Sequence, residues 1–129
     1  MNNKGSEKFS IKKRTKSAFY AINGLKVLFK EEHNSRIHLF IVIVVVAAGF
    51  FFHISAVEWM IISLLIALVF GLEIMNSAIE NICDYISPQW SETIKKIKDL
   101  AAAAVFLASV ISVICGAIIF LPRICDLFI

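Results

Sequence analysis

The residues whose types and spacing suit chemistry stand in one row: Glu73, Asn76, Glu80 and Asp84, at steps of three, four and four. On an α-helix those steps hold all four within an arc of about 80°, while Ile74, Met75, Ile79 and Ile82 take other faces. The row starts where the apolar run Trp59 to Leu72 ends. That run covers about 21 Å, short of the roughly 30 Å hydrocarbon core of a bilayer. The helix must therefore continue through Glu73 toward Glu80 to finish crossing. Glu73 then lies within hydrocarbon depth, and Glu80 and Asp84 lie nearer the headgroups. Carboxylates there are costly unless paired, solvated or bound to a cation. A carboxylate at low dielectric has a raised proton affinity and suits a general base, which fits Glu73. Carboxylates converging near the surface suit Mg²⁺, which takes oxygen ligands and keeps water and phosphate oxygens in its shell. Glu80 fits that role, with Glu32 joining it from another segment, and Lys98 could neutralise phosphate. These parts suit phosphoryl transfer, where positioning and charge neutralisation do most of the work. They also suit proton or ion passage along the acids, and the simplest alternative is a helix turning a polar face to water.

The elements that must position this row are membrane spans. Of 129 residues, 59% are hydrophobic, and the mean hydropathy is +0.81. That excludes an ordinary soluble domain. It also weakens a nucleic-acid reading of the net charge of +3. A chain this short has no room for a separate soluble catalytic domain. Its three cysteines, Cys83, Cys115 and Cys125, form no C-x-x-C and read as apolar fillers, with Cys125 just past the last helix. The N-terminus has no compact apolar core followed by a small-residue cleavage site, so it does not read as a secretory signal.

In chain order, residues 1–7 are polar and expected to be disordered. From about 9 to 32 the pattern is that of an amphipathic helix lying at the membrane surface or on the bundle, with Phe19, Ile22, Leu25 and Phe29 as its stripe and Gly24 as a candidate break. A first span is expected over about 37–54 and a second over about 57–86, ended by Ser87-Pro88. A third is expected over about 92–121, opened by Ser91 and ended by Pro122-Arg123. Ala101 to Ala104 at its start admit a close helix neighbour. The whole reads as a single all-α membrane domain, 1–129. The loop near His53 to Glu58 has no Lys or Arg, whereas Lys12, Lys13, Arg14, Lys95, Lys96 and Lys98 gather at the other side. By the positive-inside rule that side is cytoplasmic, and Glu32, Lys98 and Asp99 share the level of the acidic row.

No G-x-x-x-x-G-K-[ST], H-R-D or D-F-G occurs, so neither a P-loop nor a protein-kinase site is expected. Instead, the pattern E-x-x-N-S/T-A-I-E-x-x-x-D over 73–84, followed by Lys98-Asp99-Leu100-Ala101-Ala102-Ala103-Ala104-Val105, resembles the signature of the small prokaryotic membrane lipid kinases, the diacylglycerol kinase and undecaprenol kinase family. The similarity extends over about 12–123. It implies a homotrimer of three-span subunits with an N-terminal surface helix in the bacterial inner membrane, sharing sites between subunits and acting on ATP with Mg²⁺. Carried over by residue, Glu73 would be the base that takes the lipid hydroxyl proton. Glu32 and Glu80 would hold the metal on the ATP phosphates, supported by Asn76 and Asp84. The nucleotide would meet Lys98, Asp99, Gln89, Trp90, Ser91, Tyr20 and Lys13. Lys13 stands where some members carry an arginine, which keeps the charge without the bidentate fork. The segment Glu32-His33-Asn34-Ser35-Arg36-Ile37-His38, with its histidine, resembles the undecaprenol branch more than the diacylglycerol branch. A proton- or ion-conducting bundle is the competing reading, and a purely structural membrane partner is a third.

Overall fold

The computed structural model describes residues 10–129, so the expectations for residues 1–7 and for a helix start near residue 9 fall outside it. Among the described residues there are four helices and no strand: α1 (Ile11–Glu31), α2 (His33–Phe51), α3 (Ala56–Ile86) and α4 (Glu92–Phe128). α2, α3 and α4 are each long and apolar enough to cross a membrane.

α1 starts at Ser10, whose hydroxyl accepts from the Lys13 amide at 3.4 Å. It runs unbroken through Gly24, contrary to the expected break. A lone helical glycine costs only about 1 kcal/mol. Past it the helix is pinned by Leu28, 2% exposed, and by Phe29, edge-on to Phe70 at 5.8 Å. α1 ends at Glu32, whose extended backbone (φ −104, ψ 109) makes it both the C-cap of α1 and the N-cap of α2.

α2 stops at Phe51, short of the expected 54. His53 takes a left-handed turn, φ 51, and the amides of His53 and Ile54 bond back to the carbonyls of Phe50 and Gly49. That is a Schellman closure, usually built on glycine. Ser55 then opens α3 with a capping box, exchanging bonds with Glu58 at 3.2 and 2.9 Å. Glu58 also holds both guanidinium arms of Arg123, at 2.7 and 2.8 Å, and so ties the start of α3 to the end of α4.

α4 does not end at Pro122. It continues to Phe128 and carries Cys125 inside it. A proline removes one helical hydrogen bond, here the one to the Ile118 carbonyl. One residue on, Arg123 Nη1 donates to the Ile119 carbonyl at 2.7 Å and adds a side-chain bond to the backbone of that turn. Side-chain bonds of this kind help membrane helices tolerate proline. All three thiols are free; Cys83 is buried as expected of a filler, but Cys125 is exposed.

Ile54, Ile62, Ile119 and Phe120 form the buried core at this end, with Phe52 and Trp59 packed on it. Gly49 is required there, because a Cβ would stand 2.6 and 2.8 Å from the Trp59 ring. A rigid indole wedged between α2 and α3 cannot yield cheaply. Gly49→Ala is therefore expected to destabilise the fold by about 1–3 kcal/mol, read as a lowered melting temperature in detergent, whereas Gly71→Ala, with nothing within 4 Å, is not.

α4 packs chiefly on α3, and α2 also rests on α3, while the backbones of α2 and α4 do not approach one another. The gap between them is a mostly apolar cavity of about 230 Å³. His38 of α2 and Ser109, Ser112 and Gly116 of α4 are among the residues lining it.

Candidate active site

The acidic row lies on one α3 face, and α1, α2 and α4 each meet a different part of it. The deepest part is Glu73, 5% exposed. Ser35 and His38 stand three apart on the first turns of α2, hence on one face. Ser35 Oγ, itself 1% exposed, donates to Glu73 Oε2 at 2.9 Å. His38 Nδ1 pairs directly with Glu73 Oε1. Both carboxylate oxygens of the expected base are thus held from α2.

One and two turns further along α3, the row meets the α1–α2 joint. Glu32 lies near enough to Glu80 and Ser77 for both to act on its carboxyl. Burial lifts the Glu32 carboxyl above its ordinary range, and the charge of Glu80 lifts it further. Asn76 Nδ2 donates to Glu80 Oε1 at 3.4 Å, while Asn76 Oδ1 is buried without a partner. Asn81 bridges the Ser77 carbonyl, at 2.9 Å, and Glu31 of α1, at 3.4 Å. Glu32 and Glu80, two acids brought together beside an orphaned amide oxygen, form an oxygen donor set short of positive charge, and they fit a divalent cation. Among the described residues no three of His, Cys, Asp and Glu gather into a closed cage. An open set of this kind suits Mg²⁺, which keeps waters and phosphate oxygens.

The row ends at Asp84, bonded by Lys98 of α4 at 2.6 Å. Beside Lys98 on α4, Lys95 and Asp99 pair across one turn at 2.6 Å. Trp90, 80% exposed, and Asp99 line an open depression at the start of α4 with Lys95 and Lys96. Gln89 and Ser91 flank Trp90 in the connection that leads into it. Lys13 and Tyr20 stand on α1 about 28 and 18 Å along its axis from Glu32. The structure therefore places Glu32 near Glu80, bonds Asn76 to Glu80 and Asp84 to Lys98, but leaves Lys13 and Tyr20 apart from them. The sequence reading did not give Glu73 its partners, Ser35 and His38. Their three-residue spacing put them on one face, but periodicity within α2 does not say which residue of α3 that face meets.

Residues 19–120, which contain the whole acidic row, match the family model for prokaryotic diacylglycerol kinase. The chain belongs to that family. The kinase is 41% identical over 108 residues to an undecaprenol kinase of Bacillus subtilis, covering 84% of this chain and 88% of that protein. It is 34% identical over 111 residues to a diacylglycerol kinase of Synechocystis, covering 85% of this chain but 63% of that longer protein. A diacylglycerol kinase of Haemophilus influenzae is 31% identical over 105 residues, covering 81% of this chain and 89% of its own length. This protein is a membrane lipid kinase, which sets aside the conducting-bundle and structural-partner readings.

Proposed function

We propose that this kinase transfers the γ-phosphate of ATP to the hydroxyl of undecaprenol, giving undecaprenyl phosphate, at the cytoplasmic face of the bacterial inner membrane. The single observation that carries the reaction is the convergence of Glu32, Glu80 and the orphaned Asn76 oxygen one to two turns from Glu73. Glu32, Glu80 and Asn76 would hold Mg²⁺, which supplies charge neutralisation on the phosphates when bound. Glu73 supplies the negative charge that draws off the proton released as the lipid oxygen attacks. Asp84 orients Lys98 toward the phosphates, and the depression beside Trp90 and Asp99 accepts the rest of the nucleotide. The buried face of α2 keeps water from Glu73.

The choice of lipid rests on the identity to the undecaprenol kinase and on the His38 segment. The orientation rests on the clustered lysines. Only 11% of the most apolar window of each span is buried within one chain. That outward apolar surface, the small residues Ala101 to Ala104 and the distance of Lys13 and Tyr20 from Glu32 support a homotrimer whose subunits complete one another's sites.

The test compares undecaprenol with diacylglycerol under radiolabelled ATP in one detergent–lipid mixture. Undecaprenol is expected to give at least about tenfold higher kcat/KM, a difference of about 1.4 kcal/mol in transition-state binding. A reversed preference gives the diacylglycerol kinase and phosphatidic acid instead, and no labelled lipid from either substrate ends the proposal.

A further inference from the structure

Glu73 is closed off by its own partners. Ser35 occupies one oxygen and His38 the other, and the carboxylate is 5% exposed against 27% for the histidine side chain. With His38 donating from Nδ1 to Glu73 Oε1, the imidazole carries its lone pair on Nε2. His38, not Glu73, is among the residues lining the apolar cavity between α2, α3 and α4. The other polar side chains of that lining are two α4 hydroxyls, Ser109 and Ser112, and the Ser112 hydroxyl is already committed to the Ala108 carbonyl at 2.8 Å. A lipid whose chain lies in this cavity brings its hydroxyl to an imidazole edge before it can reach a carboxylate.

We propose that His38 Nε2 accepts the proton of the lipid hydroxyl and that Glu73 acts through His38. This rests on the lipid kinase reading above and names the acceptor atom within it. The lipid O–H bond breaks and an N–H bond forms at Nε2. The lipid oxygen bonds to the γ-phosphorus as the bond from that phosphorus to the β-bridging oxygen breaks, and ADP leaves with that electron pair. The imidazolium, paired at Nδ1 with the Glu73 carboxylate, returns its added proton to water after product leaves. A nucleophile, a base and a carboxylate that orients the base form the arrangement that activates hydroxyls on unrelated folds. Ser35 completes it by holding the second oxygen of Glu73 in place.

The experiment uses the full-length protein in lipid–detergent mixtures and measures kcat and both KM values for His38→Gln, His38→Ala and Glu73→Gln. His38→Gln keeps the volume and a polar contact to Glu73 but has no basic nitrogen. Both His38 variants are expected to lose about 100-fold or more in kcat, with KM for ATP within about twofold of the parent. Added imidazole is expected to restore His38→Ala by about tenfold and to leave Glu73→Gln unchanged, because only the first has lost the base itself. His38→Gln within about threefold of the parent kcat overturns the assignment, as does a loss carried wholly by KM for the lipid. If His38→Gln is active and Glu73→Gln is dead, Glu73 meets the hydroxyl directly and the kinase reading stands. If Glu73→Gln is active, both fall.

Discussion

Glu73→Gln is expected to lower kcat for phosphate transfer by about 10³-fold or more while leaving the fold intact. Glutamine matches the shape of the side chain and can still meet Ser35 and His38, so packing around α2 is conserved. What disappears is the negative charge. Without it an imidazole at Nδ1 has no carboxylate to hold its tautomer or stabilise its cation, and a hydroxyl has no anion to receive its proton. The defect should fall on kcat, with KM for ATP little changed, because the proposed nucleotide contacts lie in the other part of the row. Steady-state transfer from labelled ATP, beside a melting curve of each protein, measures both. A variant that transfers at more than about a tenth of the parent rate would show that the buried carboxylate is structural only.

The next largest effect belongs to the acid pair. Glu80→Gln and Glu32→Gln are each expected to cost about 10²- to 10³-fold in kcat, and the double variant little more than either, because one cation needs both ligands. The melting temperature offers a second readout with a definite sign. Burial and Glu80 raise the Glu32 carboxyl above its reference value of 4.5. A carboxyl whose folded-state proton affinity exceeds its unfolded one favours the folded state in acid, and that contribution is lost as pH rises from the reference value through the raised one. Without a divalent cation this group therefore lowers the stability of the folded protein at neutral pH relative to acid. Mg²⁺ should raise the melting temperature more near pH 7 than near pH 5, and either glutamine variant should abolish that difference. Equal shifts in parent and variants would place the cation elsewhere.

The spans were legible in the sequence because apolar length is a direct physical requirement of the bilayer, and the shortness of the run to Leu72 already forced α3 on through the acids. The shared level of Glu32, Glu80 and Lys98 followed from the lysine distribution. What stayed hidden involves contacts across helices. Gly24 and Pro122 were read by their local cost, yet Leu28 and Phe29 hold one helix past the first, and Arg123, bonded to Glu58 of α3 and to the Ile119 carbonyl, holds the other past the second. The Schellman turn at His53 carried no glycine to announce it. The Glu73 cradle joins residues 35 and 38 positions apart on separate helices, which no periodicity within one helix can reveal.

Glu32 is the sole residue between α1 and α2. α2, at 19 residues, is about 28 Å long, close to the hydrocarbon thickness it must match. A thinner or thicker membrane is met by tilting a span. With a one-residue joint, tilt of α2 against α1 cannot be absorbed by slack chain and instead swings that carboxylate relative to Glu80. If these acids hold the cation as proposed, acyl length in the surrounding lipid is expected to act as a mechanical input to catalysis.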